Sequence, residues 1–232
     1  MKNRILFYIF VFYCTIVIAY TPNNIEPNQL RFREMVATRT NTPPTIDGII
    51  DDEVWESATI ENGFLQFEPY NLAEPSERTE VRLIYDNSYI YIAVNNYDSK
   101  PEKIKGRLSR KDRWMEAFET HSDWLGVAFD SNNDDRTGYW FAVNPLGSRM
   151  DVFISGESIE EFNSSWDVVW NFEVVIHDSG WSVEMQIPTS VFQFDANTNH
   201  DWGISFARHI HRLQEEVQWP RNAQTSARNR QK

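Results

Sequence analysis

Short apolar runs alternate with polar breaks over residues 80–212, where Asn, Asp, Gly and Pro interrupt the apolar positions. This spacing is typical of β-strands joined by turns. The segments Thr79–Tyr85 and Tyr89–Tyr97 flank the turn-forming triplet Asp86-Asn87-Ser88, so they predict a hairpin. Further strands are predicted at residues 124–129, 138–144, 150–155, 168–176, 180–187 and 203–210.

Side-chain alternation predicts which face of these strands is buried. Val81, Leu83 and Tyr85 fall on one side of the first strand, and Arg82 and Ile84 fall on the other. At least eight strands without a long amphipathic helix predict an all-β fold, an antiparallel β-sandwich of the jelly-roll type. Residues 51–58, whose apolar positions follow helical spacing behind an Asp cap, predict one short helical turn.

The N-terminal segment predicts export. Lys2 and Arg4 precede an apolar run at residues 5–18, and Ala19 stands where a signal peptidase would cut. The run is shorter than the roughly 20 residues that cross a bilayer, although an uncleaved anchor is the alternative. We therefore expect a signal peptide at residues 1–19, an arm or linker at 20–40, the sandwich at 41–220 and a polar tail at 221–232. The predicted location is the periplasm, the outer membrane or the extracellular space.

Composition narrows the classes of partner. The 232 residues include 22 Lys and Arg against 34 Asp and Glu, which gives a net charge of −12. This acidity argues against nucleic acid as a partner, because such binding depends on cationic side chains that neutralise phosphates. The 41% of apolar residues excludes a disordered chain. The single Cys, inside the predicted signal peptide, excludes a disulfide framework and a cysteine zinc site.

Residues 42–219 contain an ordered set of short motifs. They are Pro43-Pro44-Thr45-Ile46-Asp47-Gly48, Thr79-Glu80-Val81-Arg82-Leu83, Tyr89-Ile90-Tyr91-Ile92-Ala93, Val143-Asn144-Pro145-Leu146-Gly147, Gly180-Trp181-Ser182-Val183-Glu184 and Trp202-Gly203. In this order the motifs resemble carbohydrate-binding modules of family 9, within the wider DOMON-like group of β-sandwiches. The resemblance implies a secreted, non-catalytic module that binds a polysaccharide or oligosaccharide beside glycoside hydrolases that degrade xylan or glucan.

A second resemblance implies an alternative function. Arg110-Lys111-Asp112 and the spacing of Arg208, Arg212 and Glu215 are similar to the N-terminal domain of long bacterial secreted proteins, in which an outer-membrane β-barrel usually follows. This implies a structural or interaction domain that kept the sandwich, lost sugar binding and packs against a C-terminal barrel or another envelope partner. The chain stops near the end of the module, so it is either a fragment or a stand-alone version.

The resemblance also implies candidate sugar-binding residues. Family 9 modules clamp a sugar between two Trp rings, and Trp219 fits the second of these positions. Thr120 stands where the first Trp belongs and Gly126 where a hydroxyl-binding Glu belongs, unless Trp114 replaces the missing ring.

Physical chemistry adds to this set. Sugars offer apolar C–H faces to aromatic rings and hydroxyls to charged groups. Trp166 is a further candidate because it lies in a polar loop context, as Trp114 and Trp219 do, and Arg82 is the candidate charged contact. For each Trp the alternative is core packing, which we expect of Trp55, Trp170 and Trp181.

An acidic loop predicts a calcium site. Asp130, Asn132, Asp134 and Asp135 offer oxygen ligands at closely spaced loop positions. The EF-hand pattern is not met, and the alternative is a solvated acidic turn. Asp47, Asp51 and Asp52 form a second candidate group.

The remaining polar residues do not indicate catalysis. His209 and His211 lie two apart on a predicted strand without further ligand spacing for zinc. The basic residues Arg107, Arg110, Lys111 and Arg113 either pair with neighbouring acids or meet an acidic partner. No Ser-His-Asp order or phosphate loop is present, so we expect no enzyme activity in the domain itself.

Overall fold

The computed structural model describes residues 33–119, 121–134, 136–155, 162–163, 166–193 and 201–220. The predicted signal peptide and polar tail, most of the arm, and Asp135 lie outside the described residues. Within the described segments, none of the helices combines the length and the apolar character that a membrane crossing requires.

Two sheets built from the described strands lie face to face. In chain order the strands are β1 (Thr38–Arg39), β2 (Leu65–Glu68), β3 (Thr79–Tyr85), β4 (Tyr89–Tyr97), β5 (Trp124–Asp130), β6 (Thr137–Val143), β7 (Arg149–Ser155), β8 (Phe162–Asn163), β9 (Asn171–His177), β10 (Gly180–Pro188), β11 (Gly203–Ile210) and β12 (Glu215–Trp219). The five-stranded sheet has the order β1-β3-β4-β10-β9, and the seven-stranded sheet has the order β2-β12-β11-β5-β6-β7-β8. All neighbours are antiparallel except β1 and β3. The predicted β-sandwich is confirmed.

The core lies between the inner faces of the two sheets. Val81 and Leu83 of β3 are buried there, as the alternation of the first hairpin predicts, and Ile84 points to the opposite face. Phe141 and Val127 contribute from the seven-stranded sheet. Period-two burial of branched and aromatic side chains therefore holds the layers together.

The outer face of the five-stranded sheet is covered by the chain that precedes it. Residues 46–58 pack Trp55, which is 2% exposed, over Ile84 and Tyr91, and Glu53–Ser57 forms the predicted short turn as a 3-10 helix. The carboxylate of buried Glu184 accepts hydrogen bonds from Trp55 Nε1 at 2.8 Å and from the backbone N–H groups of residues 47 and 48 at 3.0 and 2.9 Å. Burial raises the pKa of Glu184, although these donors oppose the rise. The central strands β3, β4 and β10 are therefore covered on this face.

A buried cation ties the two sheets together at one end of the sandwich. Arg208 of β11 is fully buried and donates to the carbonyl oxygens of Arg78 and Tyr97 at 2.9 and 2.7 Å and to Thr79 Oγ1 at 3.0 Å. Removing one partner from such a network costs several kcal/mol because the other groups stay buried. Arg208 therefore serves the fold.

Candidate functional site

The outer face of the seven-stranded sheet carries a second apolar cluster. A four-residue helix, α1 (Trp114–Ala117), and the loop after it lie over this face. The buried members are Ala117, Phe118, Trp124, Ala142, Met150 and Val152. Buried Asn144, just after β6, donates its Nδ2 to the carbonyl oxygen of Ala117 at 3.2 Å and so fixes the end of α1 to the sheet.

Trp114 stands at the edge of this cluster and is partly exposed. Its ring stacks on Phe118 with 5.4 Å between centroids and 5° between planes. The rings of Trp124 and Trp140 each lie 5.2 Å from it, at 67° and 59°. Because three neighbouring rings restrain it, Trp114 is a preorganised aromatic surface.

A cleft of about 180 Å³ opens beside Trp114. We call it the outer-sheet cleft, and its lining residues are Glu68, Trp114, Glu119, Trp124, His209, Gln214 and Glu216. The volume is smaller than the roughly 300–1,000 Å³ of pockets that enclose drug-sized ligands. The cleft therefore suits one small ring held at the surface.

Strand register builds the floor of the cleft. Glu68 of β2 pairs with Glu216 of β12, Glu216 pairs with His209 of β11, and His209 pairs with Trp124 of β5. Directly opposed residues share one face of a sheet, with Cβ atoms about 4.5–5.5 Å apart. An irregularity between Glu216 and Val217 shifts the β2 register, which is how such a bulge re-aims side chains. Four strands thus place an aromatic ring, an imidazole and two carboxylates in one row.

The imidazole of His209 is neutral at neutral pH. Its ring lies on Trp124 with 6.0 Å between centroids and 14° between planes. Burial, with a smaller contribution from the nearby His211, lowers the pKa of His209 from 6.5 to about 4. Its buried Nε2 has no hydrogen-bond partner within the described part of the chain. Depending on the tautomer, this nitrogen can donate to or accept from a ligand hydroxyl.

The rim of the cleft is acidic. Glu68, Glu119 and Glu216 line it, and the described lining residues include no Lys or Arg. Gln218 donates its Nε2 to Glu216 Oε1 at 2.7 Å. Glu119 and Gln214 have positive φ angles of 35° and 50°, which residues other than glycine rarely adopt. Gln214 ends the short 3-10 helix His211–Leu213 in this conformation, and its backbone N–H donates to the carbonyl oxygen of His211.

The absence of a side chain at Gly126 lets the indole of Trp140 pack directly against β5. A Cβ atom on Gly126 would lie 2.5 Å from Trp140 Nε1, so any side chain here would displace that indole. Trp140 in turn supports Trp114. At this position the chain therefore has a supporting indole in place of the hydroxyl-binding Glu that the family resemblance implies.

Trp219, the predicted second ring of the sugar clamp, is wrongly assigned. It is fully buried between the sheets and packs against Phe206, with 6.0 Å between ring centroids. In β12 Glu215, Val217 and Trp219 point inward, whereas Glu216 and Gln218 point outward. Because its ring belongs to the core, no ligand reaches it.

Two other predicted contacts also lie away from the cleft. Trp166 packs its partly buried ring against Tyr139 and Phe141, at centroid distances of 5.3 and 6.0 Å, beside the inter-sheet core. Arg82 belongs to β3 of the other sheet and points to that sheet's outer face, the side of Ile84. Of the four predicted sugar-binding residues, the structure places only Trp114 in the outer-sheet cleft.

The predicted calcium ligands do not converge within the described residues. The Asp134 carboxylate accepts backbone N–H bonds from Arg136 and Thr137, both at 2.8 Å, and these donors lower its pKa. Asn132 donates to Thr137 Oγ1 at 3.2 Å. In the part of the chain that the structure covers, no group of three or more His, Cys, Asp or Glu is placed to hold a metal ion. Asp130 is the third member of the predicted set that the structure describes, beside Asn132 and Asp134. Calcium binding stays a prediction.

Two of the four residues of the basic cluster before α1, Lys111 and Arg113, form ion pairs. Lys111 binds the fully buried carboxylate of Asp151 at 2.8 Å and also contacts Asp167. The same Asp151 accepts a hydrogen bond from Trp170 Nε1 at 3.0 Å. Arg113 lies 3.7 Å from Glu116. Lys111 therefore holds the loop before α1, as the salt-bridge interpretation of the sequence expects.

A second cleft of about 550 Å³ adjoins the first, and Gln214 lines both. Its lining residues are Glu102, Lys103, Ile104, Lys105, His211, Arg212 and Gln214. Arg212 is already paired with Glu77 and Asp98. The lining contains no Trp, Tyr or Phe to meet the face of a sugar.

Sequence reasoning missed most of the residues of the outer-sheet cleft. Glu68 and Glu216 lie on two short strands, β2 and β12, that were not predicted. The alternation from Glu215 to Trp219 is the signal that could have identified β12 and its outward positions. Glu119 and Gln214 lie in irregular chain, where no periodic pattern could indicate them.

Solved structures of other proteins share the fold of this chain. No protein-family model matches the sequence, and no curated protein matches it. A family 9 carbohydrate-binding module from Caldicellulosiruptor kristjanssonii, solved in complex with glucose, is 14% identical, has a TM-score of 0.57, and the match covers 82% of this chain and 87% of that one. A structure of a family 9 module from the same organism with cellotriose gives a TM-score of 0.54 at 14% identity, with coverage of 80% and 82%. The chain therefore has the β-sandwich fold of family 9 carbohydrate-binding modules.

Proposed function

We propose that the protein is a non-catalytic carbohydrate-binding module whose ligand site is the outer-sheet cleft. The observation that carries the proposal is the partly exposed Trp114, held by Phe118, Trp124 and Trp140 at the mouth of a cleft with polar walls. A sugar ring needs this combination, because its C–H face packs on an aromatic ring while its hydroxyls bond to carboxylate, amide or imidazole groups.

The shape of the site supports a surface-bound chain or chain end. The cleft, of about 180 Å³, accepts one sugar ring. The rest of a longer oligosaccharide continues along the open face of the sheet. We take xylan and glucans as the first candidate polysaccharides, in association with glycoside hydrolases. The shared fold with modules solved with glucose and cellotriose supports this choice. The predicted signal peptide supports a location outside the cytoplasm.

The test is a titration of the full chain with cellotriose, xylotriose and soluble xylan, in which binding is measured by calorimetry and by tryptophan fluorescence. Trp114→Leu keeps an apolar group against Phe118 but removes the flat ring, so affinity should fall about tenfold or more. Trp166→Leu is the matched control, since it removes another partly buried Trp outside the cleft and should leave affinity unchanged. Thermal unfolding of each variant shows that it is folded.

Two results would refute the proposal. One is the absence of saturable binding across the panel, which would support the alternative of an envelope interaction domain that lost sugar binding. The other is binding that Trp166→Leu abolishes and Trp114→Leu leaves intact, which would place the ligand elsewhere on the sandwich.

A further inference from the structure

We propose that the outer-sheet cleft selects sugar rings that carry a free amino group, such as the glucosamine units of a de-N-acetylated polysaccharide. This inference rests on the proposed function, because it assumes that the cleft binds a sugar. It concerns which substituent the ligand carries, and the residues that carry the argument are Glu68, Glu119, Glu216, His209 and Trp114.

Charge is the first reason. The described lining of the cleft contains three glutamates and no Lys or Arg. Glu68 and Glu216 are register partners on adjacent strands, so both side chains leave the same face of the sheet, and both line the cleft. Like charges placed directly opposite each other across two strands repel. An ammonium group between them replaces this repulsion with two attractive contacts, which a neutral hydroxyl cannot do to the same extent.

The imidazole in the row does not offset the negative charge. His209 pairs in register with Glu216 and lies on Trp124. Since burial lowers its pKa to about 4, it is uncharged at neutral pH. It therefore leaves the negative potential of the three carboxylates intact and still offers a nitrogen to a hydroxyl.

Aromatic rings are the second reason. Trp114 and Trp124 both line the cleft, with 5.2 Å between their centroids. The negative face of an indole attracts a cation that lies within about 6 Å of the ring centroid. The arrangement of indoles and carboxylates around one small space is therefore suited to an ammonium group attached to an apolar ring.

The basic residues that line the neighbouring cleft are not among the described lining residues of the outer-sheet cleft. They are Lys103, Lys105 and Arg212, and the two clefts meet at Gln214. A ligand in the outer-sheet cleft therefore meets carboxylates first. A uronate sugar, whose own carboxylate would face the same three glutamates, is expected to bind most weakly of the simple sugars.

The experiment compares four trisaccharides at constant ionic strength by calorimetry: triglucosamine, its N-acetylated form, cellotriose and trigalacturonate. We expect triglucosamine to bind about tenfold more tightly than cellotriose, and trigalacturonate to bind most weakly. Glu68→Gln and Glu119→Gln should each lower the ratio of triglucosamine to cellotriose affinity several-fold. Glu53→Gln is the matched control, because it removes an equal charge from an exposed position on the five-stranded side and should leave the ratio unchanged.

The outcomes separate this inference from the proposed function. Cellotriose binding that depends on Trp114, without a preference for triglucosamine, overturns the inference and leaves the proposed function standing. No sugar binding at all removes the proposed function. A preference that Glu53→Gln weakens as much as Glu68→Gln, or that survives Trp114→Leu, shows general attraction of cations to an acidic protein and overturns the inference. A trimethyl-lysine peptide that competes more strongly than triglucosamine would overturn the assignment to sugars.

Discussion

Replacing Trp219 with Phe tests whether this ring belongs to the core or to a ligand site. The substitution keeps an aromatic ring between the sheets and removes an Nε1 that has no hydrogen-bond partner among the described residues. The cost should therefore come from lost volume alone, about 1–2 kcal/mol of unfolding free energy. Sugar affinity should not change, because the ring is fully buried on the side of the sheet opposite the cleft.

Trp55→Phe is the matched variant, since Trp55 is also buried, at 2% exposure. Its Nε1 donates to Glu184 Oε1 at 2.8 Å, so the same substitution also removes a hydrogen bond to a buried carboxylate. That loss adds about 1.5–3 kcal/mol. For a domain of this size about 1 kcal/mol corresponds to a 2–4 °C change in Tm, so Trp55→Phe should melt about 3–12 °C below Trp219→Phe.

The assay is thermal unfolding of both variants, with a cellotriose titration of each at a temperature where it is folded. Equal melting temperatures would contradict the role assigned to the Trp55–Glu184 hydrogen bond. A folded Trp219→Phe variant that no longer binds sugar would contradict the burial of Trp219 and restore it to the ligand site.

Two further predictions concern the cleft itself. Because the pKa of folded His209 is about 4 and its ordinary value is 6.5, the unfolded chain binds a proton between these values that the folded chain does not. The unfolding free energy should therefore fall as pH falls from 6.5 to 4. His209→Phe keeps an aromatic ring over Trp124 and should reduce this fall, as measured by denaturant unfolding at a series of pH values. If the unfolding free energy of the variant depends on pH as that of the wild type does, the burial argument is contradicted. Gly126→Ala should lower the unfolding free energy by about 1–3 kcal/mol. It should also weaken sugar binding, because the new Cβ displaces Trp140, which supports Trp114. If stability and affinity both stay at the wild-type level, Trp140 does not support the site.

The sequence pattern predicted the sandwich because most of its strands are long enough to show their period. The hairpin of β3 and β4 has the predicted bounds, since alternation and the turn triplet agree there. The strand predicted at residues 168–176 begins only at Asn171. Its first residues turn toward Asp151, which accepts hydrogen bonds from the Val168 backbone N–H and from Trp170 Nε1. Side-chain bonding of this kind leaves no trace in the apolar pattern.

The candidate site was less predictable because it depends on register between distant strands. Trp114 was named as the replacement for a missing sugar-clamp ring, and it does line the cleft. Trp219 stands between Gln218 and Pro220, a sequence context that favours a loop, whereas the inward direction of its ring follows from the pairing of β12 with β11. The meeting of Glu68 with Glu216 depends on a local register shift, which no single segment encodes.

The pairing of β2 with β12 also determines when during folding the cleft comes into existence. Glu68 and Glu216 are 148 positions apart, and among the described strands β2 lies at the edge of its sheet with β12 as its one neighbour. Contacts of such long range form slowly, because a large loop must close before they gain any stabilisation. Partly folded chains therefore lack the floor of the cleft even when the β3–β4 hairpin is complete. A ligand that contacts all four strands of the floor, β2, β12, β11 and β5, binds only the completely folded sandwich. Its binding free energy therefore stabilises the whole domain against unfolding.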